Sequence, residues 1–255
     1  MSRVTVMIGA MKPMTSGHYT LIRNAIEDSQ APEGVVKADE TYVLVSMQDR
    51  IKKGELPVRG ETAISALKDL YTDALTDLFS LSGQKKVNLV FCHSQKFGRE
   101  NPERVAEMTG MINDFNSLFS SLGNVDVSVQ EVRSGPPDVL MQLAESRPAD
   151  QFILYTGVDD LKKYQYFKKY ATNVDFAGFE RFQGGISGTR VRSLMQSDRG
   201  SEGFSEEELS RAFPPGVDPA AVRSHYRGAA DLDPLSETKL RKLIRESIKR
   251  RMKWL

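Results

Sequence analysis

The amino-acid sequence predicts an α/β protein, a doubly wound parallel sheet followed by a helical C-terminal extension. Three observations carry that expectation. Short β-branched runs alternate with longer segments of helical period. The runs are separated by whole helices rather than by two-residue hairpin signals, and the composition, 40% hydrophobic and 27% charged, is that of ordinary globular chains. Strand, crossover helix and strand in succession make βαβ units, which bury a parallel sheet between helices on both faces.

The elements follow in order. Val4 to Ile8 reads as the first strand. The apolar stretch Val4 to Met11 is too short to span a bilayer and lacks a basic leader and a small-residue cleavage site, so it is a buried strand and not a signal peptide. Tyr19 to Ser29 has helical period, and Thr41 to Val45 is the second strand. Glu61 to Leu81 reads as one long helix, with Ile64, Leu67, Leu70, Tyr71, Leu75 and Leu78 on one face. Val87 to Cys92 is a third strand and Pro102 to Leu122 a helix with proline in its first turn. Val125 to Val132 is a fourth strand, Pro137 to Glu145 a short helix, and Phe152 to Tyr155 a fifth strand. This order is Rossmann-like and runs to about Phe179. A glycine-rich turn (Gln183, Gly184, Gly185), a helix from Thr189 and a polar surface loop over 197–206 come next. Pro214, Pro215, Gly216 and Pro219 break the following segment. Ser236 can then cap a last helix whose Leu240, Leu243, Ile244, Ile248, Met252 and Leu255 share a face. The expected division is an α/β domain over 1–199 and a helical extension over 200–255.

The formal charge of +1 hides an asymmetry. Lys239 to Leu255 holds eight Lys and Arg against the single acid Glu246, so this segment carries +7 and the rest of the chain −6. A generally basic protein is excluded; one basic appendage is not. Its apolar face can dock on the core with the cations in water, or the helix can meet nucleic acid or an anionic surface; docking is the preferred expectation. Cys92 stands alone, which excludes intramolecular disulfides and any multi-cysteine zinc site, and it reads as a small buried hydrophobe. With no apolar run near membrane length, a cytoplasmic protein is expected.

Ligands of such sheets bind beyond the carboxyl ends of the strands. The loop there after the first strand is Gly9-Ala10-Met11-Lys12-Pro13-Met14-Thr15-Ser16-Gly17-His18. Gly9 permits close approach, Thr15 or Ser16 can cap the helix, and Gly17 leaves room beside first-turn amides that already favour phosphate. The second motif is Gly185-Ile186-Ser187-Gly188-Thr189-Arg190-Val191-Arg192-Ser193, in which hydroxyls open a helix and Arg192, one turn in, can reach back with a bidentate fork. Either motif alone also reads as an ordinary capped helix.

Together and in this order, Thr15-Ser16-Gly17-His18 and Ile186-Ser187-Gly188-Thr189-Arg190-Val191-Arg192 resemble the (H/T)-x-G-H and I-S-x-T-x-x-R motifs of the nucleotidylyltransferase superfamily. The late motif is similar to that of nicotinamide-nucleotide adenylyltransferases; the first loop and the segment Ser46 to Pro57 are similar to phage cytidylyltransferase-like proteins. The resemblance covers about Val4 to Arg199. It implies transfer of a nucleotidyl group from a nucleoside triphosphate to a phosphorylated small-molecule acceptor, with release of pyrophosphate and with Mg²⁺ carried mainly on the nucleotide phosphates. Carried over by position, His18 stabilises the α-phosphate in the transition state, and Thr15 contacts phosphate where other members have histidine. Arg192 holds the β- and γ-phosphates with Ser187 and Thr189, beside Ile186. Gly9, Ala10 and Gly17 line the nucleotide, and Gly157 and Asp159, in a Gly-x-Asp segment, meet the ribose. Met11 stands where the family commonly has an aromatic residue. Lys12 is placed by charge and position as an assisting cation, and Arg50 and Lys53 as anchors for the acceptor phosphate. No protein metal ligand is expected.

AMP transfer from ATP to an acceptor such as nicotinamide mononucleotide is the expected reaction. Cytidylyl transfer from CTP, and a non-catalytic nucleotide- or RNA-binding protein using the basic tail, are the alternatives. A class I aminoacyl-tRNA synthetase shares the first motif, but this chain lacks a Lys-Met-Ser-Lys-Ser-like loop.

Overall fold

A computed structural model of the chain describes residues 2–52, 55–180, 188–196 and 211–231. Six strands form one sheet: β1 (Arg3–Gly9), β2 (Glu40–Ser46), β3 (Lys86–Ser94), β4 (Val125–Val132), β5 (Gln151–Gly157) and β6 (Val174–Phe179). Every pairing is parallel and the spatial order is β4-β3-β2-β1-β5-β6. The helices are α1 (Ser16–Glu27), α2 (Gly60–Leu70), α3 (Thr72–Ser80), α4 (Gln95–Glu100), α5 (Pro102–Phe119), α6 (Pro136–Ser146), α7 (Val158–Tyr164), α8 (Gly188–Gln196) and α9 (Pro219–Asp231). The predicted doubly wound α/β architecture with a helical C-terminal region is the one observed. No helix among the described residues is long and apolar enough to cross a membrane.

Strand alternation splits the core in two. Met7, Val43, Leu89 and Phe91 point to one face, where they pack against α1, α2, α3, α5, α8 and α9. Val4, Val6, Leu44, Val90 and Cys92 point to the other, against α6 and the 165–169 turn. Parallel crossovers are right-handed, so a chain that builds β1 to β4 in one direction and then returns beyond β1 for β5 and β6 must put its helices on opposite faces. The order reverses between β1 and β5, and Met7 lies opposite Tyr155 in the register there. Gly9 and Gly157 therefore end neighbouring strands in step, at the crevice where open α/β sheets bind ligands. At the opposite end Asp28, fully buried at the α1 C-cap, accepts from Arg3, the Tyr155 hydroxyl and the Ala38 amide, tying α1 to the sheet.

Four local differences from the sequence expectation have physical causes. The helix expected over Glu61 to Leu81 is two, broken at Tyr71. There the Thr72 hydroxyl donates to the Lys68 carbonyl in competition with the backbone, while both halves keep the same buried face, so the period runs on unbroken. α4, six residues long, is too short to show a helical period in the sequence; Ser94 caps it by accepting from the Phe97 amide at 3.2 Å. β6 carries Asp175 and Gly178 and pairs on one side only, as an edge strand, which blurs its alternation. The fourth is α9. Pro219, a breaker by its sequence context, occupies the first helical position, and Asp218 accepts from the Ala220 amide at 2.9 Å. α9 packs on α2 and α8: His225 Nε2 lies 3.3 Å from the Thr62 carbonyl, and Arg227 Nε donates to the Met195 carbonyl at 2.6 Å. The last helix over 236–255 and the polar loop over 197–206 lie outside the described residues.

Gly60 opens α2 where nothing larger fits, because a Cβ there would lie 1.9 Å from the Met47 carbonyl oxygen. Backbone, not a flexible side chain, is the obstacle. Gly60→Ala is expected to cost about 3 kcal/mol in chemical denaturation; an unchanged midpoint would show that the β2–α2 turn yields.

Candidate active site

The first loop leaves β1 at Gly9 and enters α1 with Thr15 as its N-cap. A Cβ on Gly9 would meet the Met7 side chain at 2.9 Å and the His18 ring at 3.2 Å, so this glycine makes room for His18 itself. His18 is partly buried in the first turn. Its Nδ1 accepts from the Thr15 amide at 3.1 Å, with the Thr15 hydroxyl at 3.0 Å. An acceptor role at Nδ1 places the neutral ring's proton on Nε2. Burial, then the neighbouring Arg192 cation, push His18 down to about 4 against a smaller pull from Asp160. At neutral pH the imidazole is therefore an uncharged Nε2–H donor at a helix N-terminus. Thr15 is 4% exposed with its hydroxyl on the imidazole; it orients His18 rather than facing outward as a phosphate contact. Gly17 is exposed, and a Cβ there would meet only the Thr15 hydroxyl at 3.7 Å, so the space over the first-turn amides is open. Met11 is buried at φ +48° and Ala10 is partly buried.

The late helix meets this loop. Arg192, 4% exposed, donates from Nη1 to the Lys12 carbonyl at 2.7 Å, from Nε to Glu55 at 2.5 Å and from Nη2 to the Thr189 hydroxyl at 3.2 Å. A Cβ on Gly188 would lie 3.2 Å from Arg192 Nη1 and 4.0 Å from the Thr15 methyl. The N-termini of α1 and α8 thus converge. The guanidinium fork expected to be open for phosphates is occupied, by Glu55 at Nε and by the Lys12 carbonyl and Thr189 hydroxyl at its two ends, because a buried cation must be paired. Burial pulls the Arg192 pKa down and the Glu55 hydrogen bond opposes it. Burial would raise the Glu55 carboxyl, but the bonds from Arg192 and Arg50 hold it below its ordinary value.

Arg50 joins the same node. Its Nε donates to Glu55 at 3.3 Å, and its backbone bridges antiparallel to Val58, folding the loop back on itself. The Leu56 amide donates to the Arg192 carbonyl at 3.4 Å. Lys53, Ile186 and Ser187 lie outside the described residues.

Lys12 has a different place from the one expected. Only 1% exposed, its amine donates to the Ser46 and Gln48 carbonyls at 2.5 Å each, bracing the first loop against the end of β2 rather than presenting a cation to ligand. An unbranched chain with a multivalent donor can do this where β2 leaves carbonyls without ladder partners. Burial pushes the amine down to about 7; Asp49 and Glu61 oppose that, while Arg50 and Arg192 add to it. The unfolded chain keeps this proton up to about 10.5, so it binds more protons between those values, and Lys12 makes stability rise as pH climbs through that window. Lys12→Met is expected to flatten the rise in melting temperature over that range. Parallel curves for the two proteins would refute it.

Gly157 caps α7 beside the β1 loop, with open space where a Cβ would be, and Asp159 is exposed in the first turn. Two further groups take their roles from partners distant in the chain. Glu55 is an acid within a basic loop, a signal that was present but had no partner to give it meaning. Asp49, after β2, accepts from the Gly60 amide and from Arg104 of α5, which also binds Glu61. Cys92, pushed up to about 12 by burial, has the inert core place expected of it.

No protein-family model matches the chain, and no curated protein matches it. Among solved structures, Thermotoga maritima TmcAL bound with alpha-thio ATP is similar at 16% identity and a TM-score of 0.32. The similarity covers 93% of this chain and 56% of that one, so the chain spans little more than half its length. A superposition that loose assigns neither activity nor ligand.

Proposed function

We propose that the protein is a nucleotidylyltransferase that moves AMP from ATP to a small phosphorylated acceptor such as nicotinamide mononucleotide, releasing pyrophosphate. One observation carries this reading: two helix N-termini meet at the β1/β5 switch point, with a neutral histidine donor and a buried arginine between them. An acceptor phosphate oxygen attacks the α-phosphorus, the bond to the bridging oxygen breaks, and pyrophosphate leaves with the electron pair. Such a step needs alignment and dispersal of negative charge rather than a protein nucleophile. His18 Nε2–H and the exposed amides around Gly17 supply donors to the α-phosphate, and Thr15 holds the imidazole in the donating tautomer. Arg192 supplies positive potential to the β- and γ-phosphates, which compete with Glu55 for its fork; Arg50, freed by the same exchange, faces the acceptor. Gly157 and Asp159 take the ribose.

Among the described residues no group of three His, Cys, Asp or Glu could hold a metal ion, and Asp49, Glu55 and Glu61 are engaged by arginines. On this reading the Mg²⁺ ion comes with the triphosphate, where it would offset phosphate charge.

The test is pyrophosphate release with Mg²⁺, each triphosphate in turn and a panel of phosphorylated acceptors. ATP with one such acceptor is the expected productive pair. Release with CTP alone would make the protein a cytidylyltransferase, and no release with any pair would overturn the enzyme.

A further inference from the structure

The segment from Lys162 to Tyr170, Lys-Lys-Tyr-Gln-Tyr-Phe-Lys-Lys-Tyr, lies outside the candidate site and gives the core only Phe167 and, packed beside it, Tyr164. Lys162, Lys163, Lys168 and Lys169 are all exposed, and no acid occurs between Asp160 and Asp175. Tyr166 is 41% and Tyr170 71% exposed, both among the exposed large hydrophobic side chains described. Phe167 is the buried anchor. The Tyr166 ring lies nearly parallel to it, centroids 4.5 Å apart and planes at 23°, and Tyr164 is parallel to it at 6.0 Å. Lys168 is held over the Phe176 ring at 5.4 Å. The Tyr166 ring is thus fixed from below, and lysines flank it and Tyr170 along the chain. Lys163 reaches back to Asp160, which leaves the other three lysines without an ion pair among the described residues.

We infer that this face, the 162–170 segment between β5 and β6, binds single-stranded nucleic acid. Four ammonium groups along nine residues match a phosphate backbone, and two exposed rings, Tyr166 already stacked on buried Phe167 and Tyr170 in the open, match unpaired bases. A duplex hides its bases. An anionic bilayer meets the charge but not the stacking faces. The surface begins at α7, whose first residue follows Gly157, so Lys163 lies about 9 Å along the helix from the candidate site. The inference does not depend on nucleotidyl transfer.

The experiment is fluorescence polarisation of the full chain with a labelled single-stranded oligonucleotide of about 12 bases, the matching duplex, and vesicles of phosphatidylcholine with phosphatidylserine. Two variants separate the terms: Tyr166→Leu with Tyr170→Ala, which keeps an apolar side chain over Phe167, and the four lysines to Gln. Melting curves establish that both are folded. The tyrosine variant is expected to weaken single-strand binding about fivefold or more, with the salt slope unchanged. The lysine variant is expected to lower that slope by up to about 3. No binding by the wild type, binding untouched by the tyrosine change, or binding to vesicles or duplex as tight as to the single strand would each overturn the proposal. The first variant also excludes the basic tail as the whole cause, since charge outside the patch is indifferent to Tyr166 and Tyr170.

Discussion

His18→Ala lowers turnover by about 10²–10⁴-fold while nucleotide affinity changes little, if the imidazole acts as a donor to charge that develops only in the transition state. The geometry makes the prediction more specific. Nδ1 is taken by the Thr15 amide, so the useful group is Nε2–H, and His18→Gln, which can place an amide donor nearby, should recover part of the loss. Because burial and Arg192 push the imidazole down to about 4, it stays neutral through the physiological range, and no limb near pH 6.5 should appear in the kcat profile. Stability behaves differently. The unfolded chain binds the extra proton below the ordinary histidine pKa of about 6.5, so His18 makes the fold less stable as pH falls from there toward 4. Turnover unaffected by the alanine change, or a kcat limb at the ordinary histidine value that vanishes in the variant, would contradict the assignment.

Glu55→Ala should destabilise the protein by about 3 kcal/mol or more, among the larger effects for a single side chain outside the apolar core. Arg192 is 4% exposed, and its carboxylate is the only charge neutralising partner in direct contact among the described residues; removing it leaves a buried cation with a carbonyl and a hydroxyl. The measurement is urea unfolding of wild type and variant against pH. The carboxyl is held below its ordinary value, so its contribution is present above about 4.5 and is lost as pH falls through the lowered folded value. The two proteins should therefore converge in acid. Glu55→Gln separates stability from function: it keeps a hydrogen-bond acceptor for Arg192 but no longer competes as an anion, so the protein loses stability and gains triphosphate affinity. Unchanged triphosphate affinity together with full stability would remove Glu55 from the site.

The two helix-starting loops could be read in advance because each is contiguous. Thr15 to His18 spans one helical turn, and so does Thr189 to Arg192, so local spacing alone brings each set to a helix start. Glu55 could not be read that way. Its meaning depends on Arg192, 137 residues away, and nothing near it in the chain indicates that the basic loop folds back over the late helix. The surroundings of Lys12 are hidden from the sequence for a related reason. A lysine in a phosphate-type loop suggests an exposed cation, but its amine meets the Ser46 and Gln48 carbonyls at the end of β2, 34 and 36 residues away in the chain. The break at Tyr71 was hidden because hydrophobic period reports which face is buried and not whether the helix axis is continuous.

The sequence by itself determined the alternation of strands and helices, the parallel sheet and the two capped loops, since these follow from periodicity and spacing within a few residues. Tertiary structure alone decided where the strand order reverses, that the loops meet there, and which charges they bury. Those outcomes depend on desolvation and pairing between groups far apart in the chain: Arg192 and Lys12 lose water when the loops close, and only the fold decides whether a carboxylate or a carbonyl replaces it.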